Sequence, residues 1–345
     1  MISFIIRRLL ILPLILLGVT VLIFSMIMLL SPYQRLSAYI SSPTAKFTNA
    51  TLQSLIKKYG LDQPMYVQYF KWLGNVLHGN LGWSTSGKNP VSTVIAQRFP
   101  ATIELVLYSI IPVVFGGIWL GVVSAVHHND PLDQTLRVIA IVGWSLPSFI
   151  FGLFVLFIFY GILGWLPPGR LSQQYYLQVI NPKIFHSYVH LVTIDAILNW
   201  RWDIFWDALK HLIAPIISLS YISWAYLMRI TRSSMLESLH KDYIRTARAK
   251  GVDERTVINK HAKRNALIPV ATVAGSMIVG MLGGVVITET IFIYPGIGSF
   301  AANAAVQLDY AGIMGIALLN SFILVLGNLL VDILYAVIDP RVRLG

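Results

Sequence analysis

Six long stretches without a charged residue constrain this chain more than any other feature of its sequence. Each stretch has at least 18 residues, and a helix needs about 20 residues to cross the hydrocarbon core of a bilayer. A segment in lipid must satisfy its own backbone hydrogen bonds, and none of these stretches alternates like a barrel strand, so we predict six transmembrane helices. The stretches cover residues 9–30, 105–126, 138–169, 211–228, 265–288 and 310–331.

The composition indicates the same class of protein. Hydrophobic residues make up 56% of the chain and charged residues only 12%, whereas soluble domains carry about 25% charged residues. The chain has no cysteine, which excludes disulfides, thiolate metal sites and cysteine nucleophiles. The neighbouring His127 and His128 point apart on a helix and lack a third ligand nearby in sequence, so we predict a solvated loop there and no metal site.

The first stretch allows a second interpretation, as the apolar core of a cleaved signal peptide. Such cores are about 7–15 residues long, whereas this stretch has 22 residues and no clear small-residue cleavage site after it. We therefore expect a retained span. Residues 1–104 would form the first transmembrane helix and an external region, and residues 105–345 would form a five-helix core.

The distribution of basic residues predicts the orientation in the membrane. An even number of spans places both termini on one side. The start of the chain, residues 127–137, residues 229–264 and the end together hold 15 of the 26 lysines and arginines. Basic residues are enriched in cytoplasmic loops, so we expect a multi-pass protein of the cell (inner) membrane with its N- and C-termini in the cytoplasm. The net charge of +11 then reflects topology and not nucleic-acid binding.

The external region contains a pattern typical of an amphipathic helix. An interfacial helix at the outer surface would explain the pattern, and a small external subdomain packed on itself is an equally open alternative. The apolar residues that recur at helical spacing are Tyr66, Tyr69, Phe70, Leu73 and Leu77.

The loop formed by residues 229–264 carries the clearest mechanistic pattern. Ile244, Ala247 and Gly251 share one helical face, and its small residues would let another protein approach closely. Gly251 suits a helix stop, and Asp253 suits the cap of a following helix. By charge alone, a juxtamembrane helix that binds anionic lipid is the favoured alternative. The basic residues that flank the face are Arg245, Arg248 and Lys250.

The same loop resembles the EAA loop of ABC-importer permeases, whose pattern is an acidic residue, two alanines, three further residues and a glycine. Arg245-Thr246-Ala247, then three further residues and Gly251, keeps that spacing, with Arg and Thr in the first two positions. The general pattern has a proline soon afterwards. Here the proline is Pro269, a later position that matches the peptide-importer branch.

Further strings along the whole chain resemble the B-type permease of the dipeptide/oligopeptide/nickel importer family. The resemblance implies a type I ABC-importer permease fold whose spans two to five line a pathway shared with a homologous second permease. The strings are Tyr59-Gly60-Leu61-Asp62-Gln63-Pro64, Gln68-Tyr69, Trp72-Leu73, Gly79-Asn80-Leu81-Gly82, Pro90-Val91, Met235-Leu236-Glu237, His261-Ala262-Lys263-Arg264-Asn265-Ala266, residues 289–298 and Asp339-Pro340-Arg341.

The resemblance also implies partners. Two cytoplasmic ATPase subunits would bind ATP and Mg²⁺, and an extracytoplasmic solute-binding protein would deliver the solute. The loop would hold a coupling helix that transmits ATPase closure to the permease. The residues implied in coupling are Tyr243, Ile244, Arg245, Thr246, Ala247, Arg248, Lys250, Gly251, Val252 and Asp253.

The expected function is therefore ATP-driven import of dipeptides or oligopeptides, with oligosaccharides or nickel chelates as alternative solutes. The sequence has no Gly-x-x-x-x-Gly-Lys-Ser/Thr loop, so we expect neither ATP hydrolysis nor a cofactor in this chain. A stand-alone secondary transporter would show inverted repeats and buried charges at the midplane, which we do not find. Ser84, Ser86 and Ser92 lack the histidine and acid that an intramembrane hydrolase needs.

Several polar or kink-forming residues in or near the spans are candidates for gating or helix packing. Asn328 and Asp332 are four residues apart with Asn320 two turns earlier, so we expect all three to face the bundle interior, where hydrogen bonds between helices are favoured over solute contact. Glu289 would pair with an external arginine or line the gate. Pro295 and Gly296 follow it in the matching string.

Overall fold

The computed structural model of the chain describes residues 2–40 and 48–338, and the side chains of residues 9–40 and 48–333. The Asp339-Pro340-Arg341 string and the side chains of Arg7, Arg8 and Arg343, which contributed to the predicted orientation, lie outside that part.

The first part of the chain forms one long helix, three short ones and a small hairpin. These elements are α1 (Ile2–Met28), α2 (Pro32–Leu36), α3 (Asn49–Tyr59), α4 (Met65–Leu77) and the antiparallel strands β1 (Trp83–Ser84) and β2 (Asn89–Pro90). The next part contains α5 (Val91–Ile110), a π-helical turn (Ile111–Gly116), α6 (Gly117–Val126), α7 (Pro131–Ser145), α8 (Ser148–Leu156), a second π-helical turn (Phe157–Ile162), α9 (Gln173–Val179) and α10 (Val192–Leu198).

The last part begins with the longest helix. It comprises α11 (Trp202–Leu239), α12 (Asp242–Ala249), α13 (Glu254–Thr256), a third π-helical turn (Val257–Ala262), α14 (Lys263–Leu282), α15 (Val286–Ile291), α16 (Ile297–Val306) and α17 (Tyr310–Ile338). We call the end of the bundle at which α12 lies the α12 end, and the other end the opposite end.

The described residues contain five helices long and apolar enough to cross a membrane, and a bent helix pair that makes a sixth span if it crosses as one unit. The predicted all-α membrane fold is confirmed, since each of the six charge-free stretches corresponds to one of these elements. The five helices are Leu9–Met28, Val91–Val126, Trp202–Leu239, Glu254–Leu282 and Tyr310–Ile333.

The stretch 138–169 does not form the continuous helix that its length suggested. It lies in the bent pair, where Pro131–Ser145 and Ser148–Ile162 meet at an angle of 102°. Leu146, between the two helices, has an extended backbone (φ −77°, ψ 126°). Pro147 explains this conformation, because a proline disfavours the helical conformation in the residue before it and has no N–H to donate.

Helix α11 is the centre of the bundle. Within its most apolar window, 56% of the residues are buried inside the chain, compared with 6% for α1 and 11% for α17. It packs against α5, α6, α7, α8, α10 and α14, whereas α1 packs mainly against α17, and α17 packs against α14 and α1. The outer helices therefore leave most of their apolar surface for lipid or another protein.

Helix α4 forms where the sequence predicted it, but its predicted apolar face is divided, because the Tyr69 ring packs on Phe24 of α1 at 5.4 Å. One face packs on α1, where the rings of Trp72 and Phe24 lie 5.5 Å apart. The other face exposes Tyr66, Phe70 and Leu77, each at least 67% accessible. This exposed apolar stripe suits the surface of a membrane, and the packing on α1 fixes its position.

Candidate functional site

Helix α12 is held against the bundle by its small apolar face. Ile244 is fully buried and Ala247 is 8% exposed. They pack in a cluster with Met235 of α11 and with Val257 and Ala262 after α12. The prediction that this face receives another protein is therefore wrong for Ile244 and Ala247, because the chain's own bundle covers it.

The turn after α12 has the geometry that the sequence predicted. Gly251 adopts a left-handed conformation with φ +78°, which glycine adopts at little cost. Its N–H donates to Arg248 O at 2.9 Å, and the Val252 N–H donates to Ala247 O at 3.2 Å, which together form a Schellman cap. The Asp253 carboxylate accepts the Thr256 N–H at 2.9 Å and caps α13. Hydrogen bonds from the side chain and the N–H of Thr256 lower the pKa of Asp253.

Polar contacts fix α12 to the elements on both sides of it. The Tyr243 hydroxyl lies 2.6 Å from Ser238 Oγ, which donates to Ala262 O at 3.0 Å. Arg248 donates Nε to Glu254 Oε2 at 3.0 Å and Nη2 to Oε1 at 2.6 Å. Helix α12 is therefore bound to α11 and to the segment that begins α14, so a force on α12 acts on both long helices.

The outward face of α12 is exposed and its charges are largely paired. Arg245 and Thr246 are exposed, as are Arg248 and Lys250. Arg248 pairs with Glu254 at 2.6 Å, and Arg245 lies 3.5 Å from Asp242. Exposed pairs of this kind are weak, so this face can receive either a protein partner or anionic lipid.

A buried carboxylate that sequence reasoning missed joins three helices at the α12 end. Asp133, fully buried in α7, accepts two hydrogen bonds from Arg232 of α11, both at 2.8 Å, and one from Ser124 of α6 at 2.5 Å. Arg137 lies 3.6 Å away. In the sequence, Arg232 stood out only as a loop charge, because no local pattern indicates a partner 99 residues away.

The candidate gating residue Glu289 is a buried structural acceptor at the opposite end. It is fully buried and accepts hydrogen bonds from Thr102 Oγ1 and the Ser299 N–H, each at 2.8 Å. Among the described residues no arginine lies within ion-pair distance of it, although Arg98 interacts with it electrostatically, so the expected arginine is nearby without a direct contact and a role in a gate stays a prediction. Burial raises the pKa of Glu289. A Cβ at Gly296 would lie 2.4 Å from Glu289 Cδ, so glycine is needed there, while the neighbouring Pro295 is exposed.

A second buried carboxylate at the opposite end also escaped prediction. Glu104 of α5 pairs with Arg170 at 2.7 Å and accepts the Thr193 N–H and hydroxyl, each at 2.7 Å. The Tyr294 hydroxyl donates to it at 3.2 Å. Burial disfavours the charged Arg170, yet the Glu104 carboxylate outweighs this effect and raises the pKa of Arg170. This cluster anchors the loop before α9 to the core.

The polar residues of α17 do not share one inward face. Asn320 has a buried Oδ1 that finds no hydrogen-bond partner among the described residues. Asn328 is exposed and Asp332 is half-buried. The expectation that Asn328 faces the bundle interior is wrong, because the neighbouring Gly327 takes the inward position against Val279.

Together these features define a class of protein. The chain is a multi-pass α-helical membrane protein with one short helix fixed across one end of its bundle. Its buried charges serve packing, and the described residues contain no group of three or more His, Cys, Asp or Glu side chains that could hold a metal ion.

Comparison with known proteins identifies the family. Residues 117–344 match the family described as the binding-protein-dependent transport system inner membrane component, and residues 1–106 match the N-terminal region of the same kind of membrane component. The chain belongs to this family of membrane permease components, and it is a transport protein of the inner membrane and not a catalytic enzyme.

Its relatives are named as peptide permeases. The chain is 39% identical to the oligopeptide transport system permease protein AppB of Bacillus subtilis, over 99% of this chain and 100% of AppB. It is 40% identical to the dipeptide transport system permease protein DppB of Alkalihalophilus pseudofirmus, over 99% and 100% of the two chains. It is 39% identical to the probable D,D-dipeptide transport system permease protein DdpB of Escherichia coli, over 86% of each chain.

Proposed function

We propose that this chain is the transmembrane permease subunit of an ATP-driven ABC importer for dipeptides or oligopeptides. The names of AppB and DppB, which match along nearly the whole chain, support peptides as the solute. A homologous second permease would complete the solute pathway, two ATPase subunits would bind and hydrolyse ATP, and an extracytoplasmic binding protein would deliver the peptide.

The observation that carries this proposal is the way α12 is held. Its inner face is buried, its ends are fixed by the Gly251 turn and the Tyr243 hydroxyl, and its outer face is exposed. A short rigid helix mounted on two long helices can convert movement of an attached ATPase into a tilt of the bundle. Such a switch is a rigid-body change between two states. The nucleotide-bound ATPase would drive it by making better contacts with one state than with the other.

The proposed orientation places the α12 end and both termini in the cytoplasm, where ATP is available. The basic character of residues 229–264 supports this orientation. The hairpin and α15–α16 at the opposite end would then face the binding protein.

Reconstitution of the whole importer in liposomes tests the proposal. We expect uptake of a labelled dipeptide to require ATP, the binding protein, the second permease and the ATPase subunits, since this chain has no nucleotide-binding loop. Peptide uptake by the chain alone, driven by an ion gradient, would contradict the proposal and favour a secondary transporter. ATP-driven uptake of oligosaccharides or nickel chelates in place of peptides would change the proposed solute and leave the proposed importer assembly unchanged.

A further inference from the structure

A cavity of about 610 Å³ lies at the opposite end, between α1, α2, α3, α4, the hairpin and the start of α17. Its volume is within the range of about 300–1,000 Å³ that is typical of ligand sites. Helices α1 and α17 supply apolar wall residues such as Phe24, Ile27 and Met314. The cations come from α2, α3 and α4, and the described residues of the lining include no aspartate or glutamate. The lining cations are Arg35, Lys58 and Lys71.

Arg35 has the properties of a group that lacks its counter-ion. It is 8% exposed, and its Nη1 donates to Gln68 Oε1 at 2.6 Å. Its Nε is buried and finds no hydrogen-bond partner among the described residues. No carboxylate of the described residues forms an ion pair with Arg35. An unpaired buried charge is costly, so an anion in this cavity would remove an existing penalty.

The two lysines are placed by the local structure. Lys71 Nζ donates to Gln63 Oε1 at 2.7 Å. Gly60, with φ +69°, ends α3 in a left-handed turn, and a Cβ at this position would lie 3.1 Å from Lys71 Nζ. Lys58 lies over the ring of Tyr59, 5.6 Å from its centroid. The cationic side of the cavity is thus assembled before any ligand arrives.

The position of the cavity relative to the membrane limits the ligand further. Phe24 and Ile27 belong to the last turns of the apolar span Leu9–Met28, so the cavity lies where a span meets the headgroup layer. A small soluble anion would contact only the cations and would leave the apolar wall along α1 and α17 uncovered. A lipid would fill both the cationic side and the apolar wall.

We propose that this cavity binds an anionic phospholipid, with the headgroup phosphate at Arg35, Lys58 and Lys71 and an acyl chain along Phe24, Ile27 and Met314. This site is separate from α12 and does not depend on the proposed transport function. It would fix the position of α3 and α4 against α1 at the membrane surface.

Native mass spectrometry of the full chain, extracted from nanodiscs that contain phosphatidylglycerol and phosphatidylcholine in equal amounts, tests the proposal. We expect phosphatidylglycerol to be retained in preference to phosphatidylcholine. Both Arg35→Gln and the double variant Lys58→Gln/Lys71→Gln are expected to reduce its retention at least about tenfold, which corresponds to 1.4 kcal/mol. Lys57→Gln is the matched control, because Lys57 is exposed on the same helix but does not line the cavity.

The double variant keeps the test decisive if Arg35→Gln fails to fold. Equal retention of both lipids, or loss of phosphatidylglycerol to the same extent in Lys57→Gln, would overturn the proposal. Displacement of the bound lipid by millimolar inorganic phosphate would assign the site to a soluble anion and would also overturn it.

Discussion

Gly251→Arg is expected to abolish ATP-driven uptake while the protein remains inserted in the membrane. A Cβ at Gly251 meets nothing within 4 Å in this chain, so the arginine side chain would extend into the space that the proposed ATPase partner would occupy. Uptake by the reconstituted importer and co-purification of the ATPase subunits measure the effect. A coupling loss of about 1–3 kcal/mol corresponds to a 5–150-fold fall in the affinity between the two proteins.

Gly251→Ala is the matched control for the backbone. Both variants force a residue with a Cβ into the left-handed conformation, at a cost of about 1–2 kcal/mol, but only arginine adds bulk on the outer side. We expect Gly251→Ala to keep most of the uptake. Equal loss in both variants would assign the effect to the turn itself, and normal uptake with Arg at this position would remove α12 from the coupling mechanism.

Asp133→Ala is expected to lower the free energy of unfolding by about 3–5 kcal/mol, because it leaves a largely buried arginine without its partner. The carboxylate is fully buried, and its partner Arg232 is 18% exposed. Without the Asp133 carboxylate, the hydrogen bonds that connect α6, α7 and α11 beside α12 are lost. Unfolding of the purified chain in mixed micelles, followed by circular dichroism, measures the change.

Asp203→Ala provides a close control. Asp203 also lies in the first turn of a long helix and pairs with an arginine, Arg201, at 2.7 Å, but its side chain is 43% exposed. Exposed pairs contribute less than about 1 kcal/mol, so this variant should be near wild type. If the two variants unfold alike, the Asp133–Arg232 pair does not hold the α12 end together.

The spans and the loop geometry could be predicted because their signals are local. A charge-free stretch long enough to cross lipid is visible without knowledge of the fold, and Gly251 and Asp253 mark helix ends through their own backbone and side-chain chemistry. The effect of prolines was harder to predict. Pro147 bends its span by 102°. Pro112 instead lies in a π-helical turn, and its carbonyl oxygen accepts a hydrogen bond from Trp224 Nε1 at 2.6 Å.

The residues that could not be predicted depend on distant partners. Glu104 and Arg170 are 66 residues apart, and Ser84 donates to Asp309 from 225 residues away. Periodicity placed Ala247 correctly on the apolar face of α12, yet it could not reveal whether that face meets another protein or its own bundle. The packing of α11 and α14 beneath it decides the matter, and packing between distant segments leaves no pattern in a single sequence.

Site-specific cross-linking of α12 tests the central claim most directly. The chain has no cysteine, so Ala249→Cys on the exposed side of α12 introduces a unique thiol, and Ala305→Cys on α16 provides an exposed alanine position at the opposite end. We predict that the thiol at position 249 cross-links to an ATPase subunit in the assembled importer, with a yield that changes on ATP binding, and that the thiol at position 305 does not. A cross-link to the ATPase from position 305, or none from position 249, would contradict the account.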